Sequence, residues 1–273
     1  MQQPTVEVHG AAVPKLGYGT FQLSGADCER GVAHALERGC RHVDTAQMYR
    51  NEAQVGAALR GAAVDRDEVW ITTKVDNDHH APDRVEASTA ESLRLLGVDR
   101  VDLLLLHWPG EWDELPATLE AMDRVREQGM TRLIGVSNFP PTWLARALQL
   151  APVAANQVEH HPYLDAERLR AMAEADGLVH TAYSPLARGR VLDDPVLAGI
   201  AGAHGATVAQ VALAWLLAKP ATATIPKATS PERIDENLGA LHVELSDDEV
   251  ARIDGLDRGL RTIDPPFAPD WED

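Results

Sequence analysis

Eight short apolar runs, each followed by a longer amphipathic stretch, predict an α/β chain folded as a closed (β/α)8 TIM barrel. Two further observations support that class. The runs are apolar on both faces, as parallel strands are when helices cover them. The first run leads into "GYGTFQLSG", which lacks the G-x-G-x-x-G spacing that opens a doubly wound sheet. A chain of 273 residues holds eight such units at roughly 30 residues each.

The elements follow in order. "VEVHGAAV" (6–13) reads as a short hairpin closing the barrel bottom, ahead of the first barrel run at 16–20. A helical segment at 27–38 stops at Gly39, and "RHVD" (41–44) precedes a helix over 52–60. "EVWITTK" (68–74) precedes a helix over 82–96 that stops at Gly97. "RVDLLLLH" (100–107) is a buried strand by its leucines, and a helix over 115–128 stops at Gly129. "RLIGVSN" (132–138) leads to a helix over 141–150, with Pro140 and Pro141 at its first turn. "VAANQVE" (153–159) precedes a helix over 165–175 stopped at Gly177. "LVHTAY" (178–183) precedes a helix over 207–218 capped by Thr207. "ATATIPK" (221–227) precedes a helix over 231–241, and an extra C-terminal helix capped by Ser246 runs to about 256. The tail, 257–273, is proline-rich and irregular. No linker or repeat demands a second domain, so residues 1–273 read as one domain with its core over about 13–245.

Composition narrows the functions. A net charge of −17 disfavours nucleic acid and anionic membrane as main partners, because like charges repel. Cys28 and Cys40 lack C-x-x-C spacing and read as reduced thiols. The start "MQQPTVEVHG" has no basic stretch followed by an apolar run, so it predicts no secretory leader. "VALAWLLA", the longest uncharged apolar stretch, is too short to span a bilayer. The expectation is a cytoplasmic monomer acting on a small molecule.

In such a barrel the chemistry sits where the strands end. Asp44, Lys74, His107, Ser137 with Asn138, Gln157, Tyr183 and Lys227 fall at or near seven successive strand ends. Taken singly, each has a bland explanation. Asp44 would cap a helix, Tyr49 would pack half-buried, Lys74 would reach solvent, and His107 would be a satisfied core histidine. Taken together they predict a site. Asp44 and Lys74, from neighbouring strands, are expected to pair. A cation beside the Tyr49 phenol is expected to lower its pKa and make it a general acid for an oxygen gaining negative charge. His107 supplies a hydrogen bond. The doubled histidines His79–His80 and His160–His161 lack metal-ligand spacing, so no metal is expected.

These residues stand in segments that resemble the aldo-keto reductase family. "LGYGTFQL", "HVDTAQMYRNEAQVG", "ITTK", "DLLLLHWP", "IGVSNF", "NQVEHHPY", "AYSPLARG" and "IPKATSPERIDEN" follow its signature order. "DTAQMYRNE" and "FAPDW" are similar to the short prokaryotic 2,5-diketo-D-gluconate reductase type. The resemblance implies NADPH-dependent reduction of aldehydes, ketones or keto-sugar acids, with NADH used less well. It implies Asp44, Tyr49, Lys74 and His107 as catalytic residues, and Ser137, Asn138 and Gln157 around a nicotinamide carboxamide. Tyr183 would stack on the nicotinamide ring, and Ser184, Leu186 and Arg188 would surround the pyrophosphate. Lys227, Thr229, Ser230 and Arg233 would hold the 2'-phosphate, with Glu236 and Asn237 at the adenine.

Phe21, Asp76, Trp108 and Trp271 would line the substrate pocket. The chain departs from the family pattern at Ala228, often a serine, and at Asp76, often an aromatic. An alternative from another class is a non-catalytic NADP(H)-binding regulatory subunit. A metal-dependent barrel hydrolase is disfavoured by the missing ligand spacing.

Overall fold

The computed structural model describes residues 3–271. Met1, Gln2, Glu272 and Asp273, the outermost residues of the expected domain and tail, lie outside the described residues. The chain begins with an antiparallel hairpin, β1 (Thr5–Val8) and β2 (Ala11–Pro14), turned by His9 and Gly10 at φ 45° and 74°. Positive φ at both turn positions matches the tight turn that suits strand twist.

Eight parallel strands follow in sequence order. They are β3 (Tyr18–Gly19), β4 (His42–Asp44), β5 (Trp70–Val75), β6 (Val101–Leu106), β7 (Thr131–Ser137), β8 (Val153–Glu159), β9 (Val179–Tyr183) and β10 (Thr222–Thr224). The ring closes where Gly17 N–H donates to Thr224 O at 2.8 Å and Gly19 N–H to Pro226 O at 3.0 Å. A Cβ on Gly19 would stand 2.7 Å from Ile225 O, so the seam needs a residue without one.

Outside lie α1 (Gly25–Glu37), α2 (Glu52–Gly61), α3 (Pro82–Leu96), α4 (Leu115–Glu127), α5 (Pro141–Leu150), α6 (Glu167–Asp176), α7 (Pro195–His204), α8 (Val208–Ala218), α9 (Pro231–Leu238) and α10 (Asp247–Asp254). Gly97 and Gly177 end α3 and α6 in the left-handed conformation, as the sequence predicts. Thr207 and Ser246 each form a capping box, with Gln210 and Glu249.

Two boundaries and one helix differ from expectation for local reasons. The helix expected from 165 starts at Glu167, because the Asp165 carboxylate takes the Glu167 N–H at 2.8 Å and holds the chain in a turn. The helix expected to 241 ends at Leu238 and tightens into a 3₁₀ turn, Gly239–His242. Helix α7 is not anticipated at all. Two interior glycines, Gly199 and Gly202, weaken its local signal, while Asp194 caps it and buried Leu197, Ile200 and Ala201 fix it by packing.

The hairpin plugs the lower end of the barrel. Val8, Ala11 and Val13 pack on Trp70, Leu103, Leu133, Val179 and other inward residues in one buried cluster. Each fully buried valine contributes about 1.5–3 kcal/mol. A larger cluster fills the layer between strands and helices. The lower end is therefore closed, and only the strand C-termini face an open mouth. No single helix among the described residues is long and apolar enough to cross a membrane. α7 and α8 pass that test only together, across an 89° bend, with much of their apolar surface buried.

Candidate active site

Strand β4 delivers Asp44, and β5 delivers Lys74 two residues beyond Thr72, the partner of Asp44; both are shut off from solvent. Lys74 Nζ donates to Asp44 Oδ1 at 2.5 Å, to Thr45 O at 2.8 Å and to the Tyr49 hydroxyl at 3.4 Å. All three ammonium protons thereby have partners, which burial of a charge requires. The other Asp44 oxygen accepts from Gln157 Nε2 at 2.8 Å. Asp44 is thus not a helix cap but half of a buried ion pair. Tyr49 comes from a short 3₁₀ turn after β4, and its ring stands edge-on to His107 at 5.6 Å between centroids. His107 Nδ1 is buried with no hydrogen-bond partner. The Tyr49 hydroxyl accepts from Lys74, and among the described residues it donates to none.

The electrostatics correct one expectation. The sequence predicts that Lys74 lowers the Tyr49 pKa. Instead burial pushes the phenol well above its usual value, and the Asp44 carboxylate pushes it further. The cause is pairing. Lys74 and Asp44 present a nearly neutral couple, so the phenol meets low dielectric rather than an isolated cation. Burial also lowers the Lys74 pKa, against the raising effect of Asp44. Burial first, then Lys74 and His80, hold His107 well below the usual histidine range, so the ring is neutral at pH 7. The resting site holds a protonated phenol and an uncharged imidazole.

A second network adjoins the first. Ser137 Oγ donates to Gln157 O at 2.9 Å, and Asn138 Nδ2 donates to His107 O at 3.0 Å and to Ser137 Oγ at 3.1 Å. The Tyr183 hydroxyl donates to Asn138 Oδ1 at 2.7 Å. Asn138 holds φ 64°, a left-handed conformation that its short polar side chain tolerates. Ser137, Asn138, Gln157 and Tyr183 are therefore joined to each other and, through Gln157, to Asp44.

Past β9, Ser184, Ala187 and Arg188 also have positive φ, a cluster of strained backbone at the strand C-termini. Arg188, Lys227, Thr229 and Arg233 are exposed, while Leu186, Ser230 and Glu236 are half-buried and Asn237 is buried. Ser230 caps α9 by accepting the Arg233 N–H at 3.4 Å. No ion pair engages Arg188, Lys227 or Arg233 among the described residues, although the chain carries 42 acidic residues. Asp235, in the same turn as Arg233, pairs with His34 and Arg38 instead. Unpaired cations at a helix N-terminus fit the phosphates of a dinucleotide, and uncommitted side chains on α9 fit its base.

The apolar side of the mouth is aromatic. Phe21 lies 5.2 Å from Tyr49 between ring centroids. Trp108 meets Trp271 at 6.4 Å and Phe267 at 5.3 Å. Asp76 is half-buried, its carboxylate taken by the Asp78 N–H and its own N–H by Gln47 Oε1. Sequence reasoning missed Gln47 and Phe267. Gln47 lies between Asp44 and Tyr49 and ties the β4 turn to the β5 turn through Asp76 and His79. Phe267 sits in the tail beside Trp271, where an apolar residue in an irregular segment was its only signal. The paired histidines serve separate networks: His79 meets Gln47, His160 meets His180, and His161 meets Glu159.

A closed barrel here gathers a phenol, a buried lysine–aspartate pair and a neutral imidazole, with free cations on its rim, an arrangement that fits an enzyme with an anionic cofactor. The chain belongs to the aldo/keto reductase family, whose model matches residues 15–258. It is an NAD(P)H-dependent oxidoreductase acting on carbonyl and CH–OH groups, and members of the family typically use NADPH. It is similar to methylglyoxal reductase DkgB of Escherichia coli O157:H7, at 39% identity over 96% of this chain and 100% of that one. It is equally similar to morphine 6-dehydrogenase of Pseudomonas putida, at 39% identity over 93% of this chain and 90% of the relative. A crystal structure with a provisional assignment as 2,5-diketo-D-gluconic acid reductase B superposes with a TM-score of 0.96. It has 42% identity and covers 99% of this chain and 98% of that one.

Proposed function

We propose that the protein reduces small aldehydes, ketones or keto-sugar acids to alcohols with NADPH, Tyr49 giving the proton. One observation carries the reading: the Tyr49 hydroxyl is fixed by Lys74 yet has no acceptor for its own proton among the described residues. NADPH, when bound, supplies the hydride for the carbonyl carbon. Tyr49 protonates the carbonyl oxygen, and Lys74 stabilises the phenolate left behind, which its bond to the hydroxyl favours. Asp44 keeps Lys74 charged and aimed. His107, neutral, orients the substrate oxygen by hydrogen bonding through its imidazole.

Ser137, Asn138 and Gln157 would receive the carboxamide, and Tyr183 would lie against the ring. Ser184, Leu186 and Arg188 would meet the pyrophosphate. Lys227 and Arg233, with Thr229 and Ser230, would hold the 2'-phosphate, which favours NADPH over NADH. Glu236 and Asn237 would meet the adenine. Phe21, Asp76, Trp108 and Trp271 would shape the substrate end. The two named relatives share the same identity to this chain yet differ widely in substrate size, so the rim decides the substrate. The chain works as one unit, as a monomer in the cytoplasm.

The test is NADPH oxidation across a panel that includes methylglyoxal, an aromatic aldehyde and a keto-sugar acid. Turnover of at least one, lost in Tyr49→Phe while NADPH still binds, is the expected result. Turnover retained by that variant would remove Tyr49 from the role.

A further inference from the structure

Among the described residues the tail beyond α10 contains no helix or strand, yet one carboxylate takes hold of it. Glu159, the last residue of β8, has a fully buried side chain. Its Oε1 accepts from Thr262 N–H at 2.9 Å, from His161 Nε2 at 3.1 Å and from the Thr262 hydroxyl. Its Oε2 accepts from Ile263 N–H at 3.0 Å and from Thr262 N–H at 3.1 Å, with Arg261 Nη1 at 3.9 Å. A side chain here does what a neighbouring strand would otherwise do for two successive backbone amides. Further along, the bonds of Ala268 to Pro265 and of Trp271 to Asp264 are internal to the tail. The same tail lays Phe267 and Trp271 edge-on against Trp108, and the Arg261 guanidinium stacks 3.6 Å from the Trp271 ring centroid.

We propose that Glu159 is a positioning residue for substrate selection: it docks the tail at Thr262 and Ile263 and so sets the Trp108–Phe267–Trp271 wall. The role rests on the proposed reading of Trp108 as a substrate-facing residue. Glu159 touches no reacting group. It stands two residues beyond Gln157 on the same face of β8, so one strand supports the Asp44–Lys74 pair with one side chain and the pocket wall with the next. An amide cannot replace it. Every partner in the cradle is a donor, and the amide nitrogen of Glu159→Gln would confront one of them donor to donor.

The full-length Glu159→Gln protein tests this in two independent arms. The first is hydrogen exchange at the Thr262 and Ile263 amides, which needs no cofactor or substrate. Exchange about 100-fold faster than in the parent is expected for an undocked segment. The second compares a bulky aromatic aldehyde with methylglyoxal. KM for the aromatic substrate should rise about tenfold, while its kcat, the methylglyoxal constants and NADPH affinity stay within about twofold. In a protein already carrying Phe267→Ala and Trp271→Ala, adding Glu159→Gln should change KM no further, because the wall it positions is gone.

Unchanged exchange at Thr262 and Ile263 would overturn docking, and so would additive KM effects or an equal loss of kcat on both substrates. If the chain reduces neither aldehyde, the activity reading fails while the exchange arm still decides the docking. Should Glu159→Gln not fold, Thr262→Val gives the same two readouts by removing a single donor, with smaller changes in the same direction.

Discussion

Lys74 and Lys227 belong to different parts of the strand order and live in opposite surroundings. Lys74, within β5, is completely buried and spends its protons on Asp44, Thr45 O and Tyr49. Lys227, three residues past β10, is exposed and outside every ion pair among the described residues. A group that must aim another side chain is paired before any ligand arrives. A cation left without a protein partner keeps its charge open to an incoming anion, the proposed part of Lys227.

The strongest way to break that comparison is at the aimed side. Tyr49→Phe should bind NADPH with near-parent affinity and lose about 10³-fold in kcat, within the range of general acid catalysis, by single-turnover kinetics. Lys74→Met should be inactive and less stable by about 3–5 kcal/mol in urea unfolding, because Asp44 is left as a buried unpaired charge. The open side should behave differently. Lys227→Ala should change stability by about 0.5 kcal/mol or less, yet weaken NADPH about 10–100-fold while leaving NADH nearly unchanged in fluorescence titration. Equal weakening of both nucleotides would take Lys227 off the 2'-phosphate.

The smallest effect sharpens the comparison through pH. Burial depresses His42, His80, His107, His160 and His180, the last to about 3. Below about pH 6.5 the unfolded chain binds protons that the folded chain refuses. Stability should therefore fall as pH drops from 7.5 to 5, with more than one proton taken up on unfolding. A urea midpoint that stays flat over that range would show these histidines to be better solvated than their burial implies.

The strand ends were legible because their residues conflict with their surroundings. Asp44 after "HV", Lys74 after "ITT" and His107 after four leucines put ionisable groups where only apolar ones suit, and a site explains that. Helix α7 was not legible, because its signal is a cap and a buried face rather than a strong local propensity. Gln47, Glu159 and Phe267 were equally hidden. Each is ordinary in its own segment and acquires a role only from a partner distant in the chain: Gln47 at His79, Glu159 at Thr262 and Phe267 at Trp108. The Tyr49 pKa went the wrong way for a related reason. Sequence order sets a paired lysine near the phenol, but only the fold shows that burial and the Asp44 carboxylate dominate there.

By itself the sequence determined the alternation of strand and helix, the polar residues at the strand ends and the cations around the start of α9. These are properties of short segments, set by hydrophobic period and by residues that cannot be buried unpaired. The tertiary structure alone decided how strongly each group is charged and which distant segments close over the mouth. Those depend on burial and on contacts between residues far apart in the chain, such as Glu159 with Ile263, 104 positions away, and no local pattern encodes them.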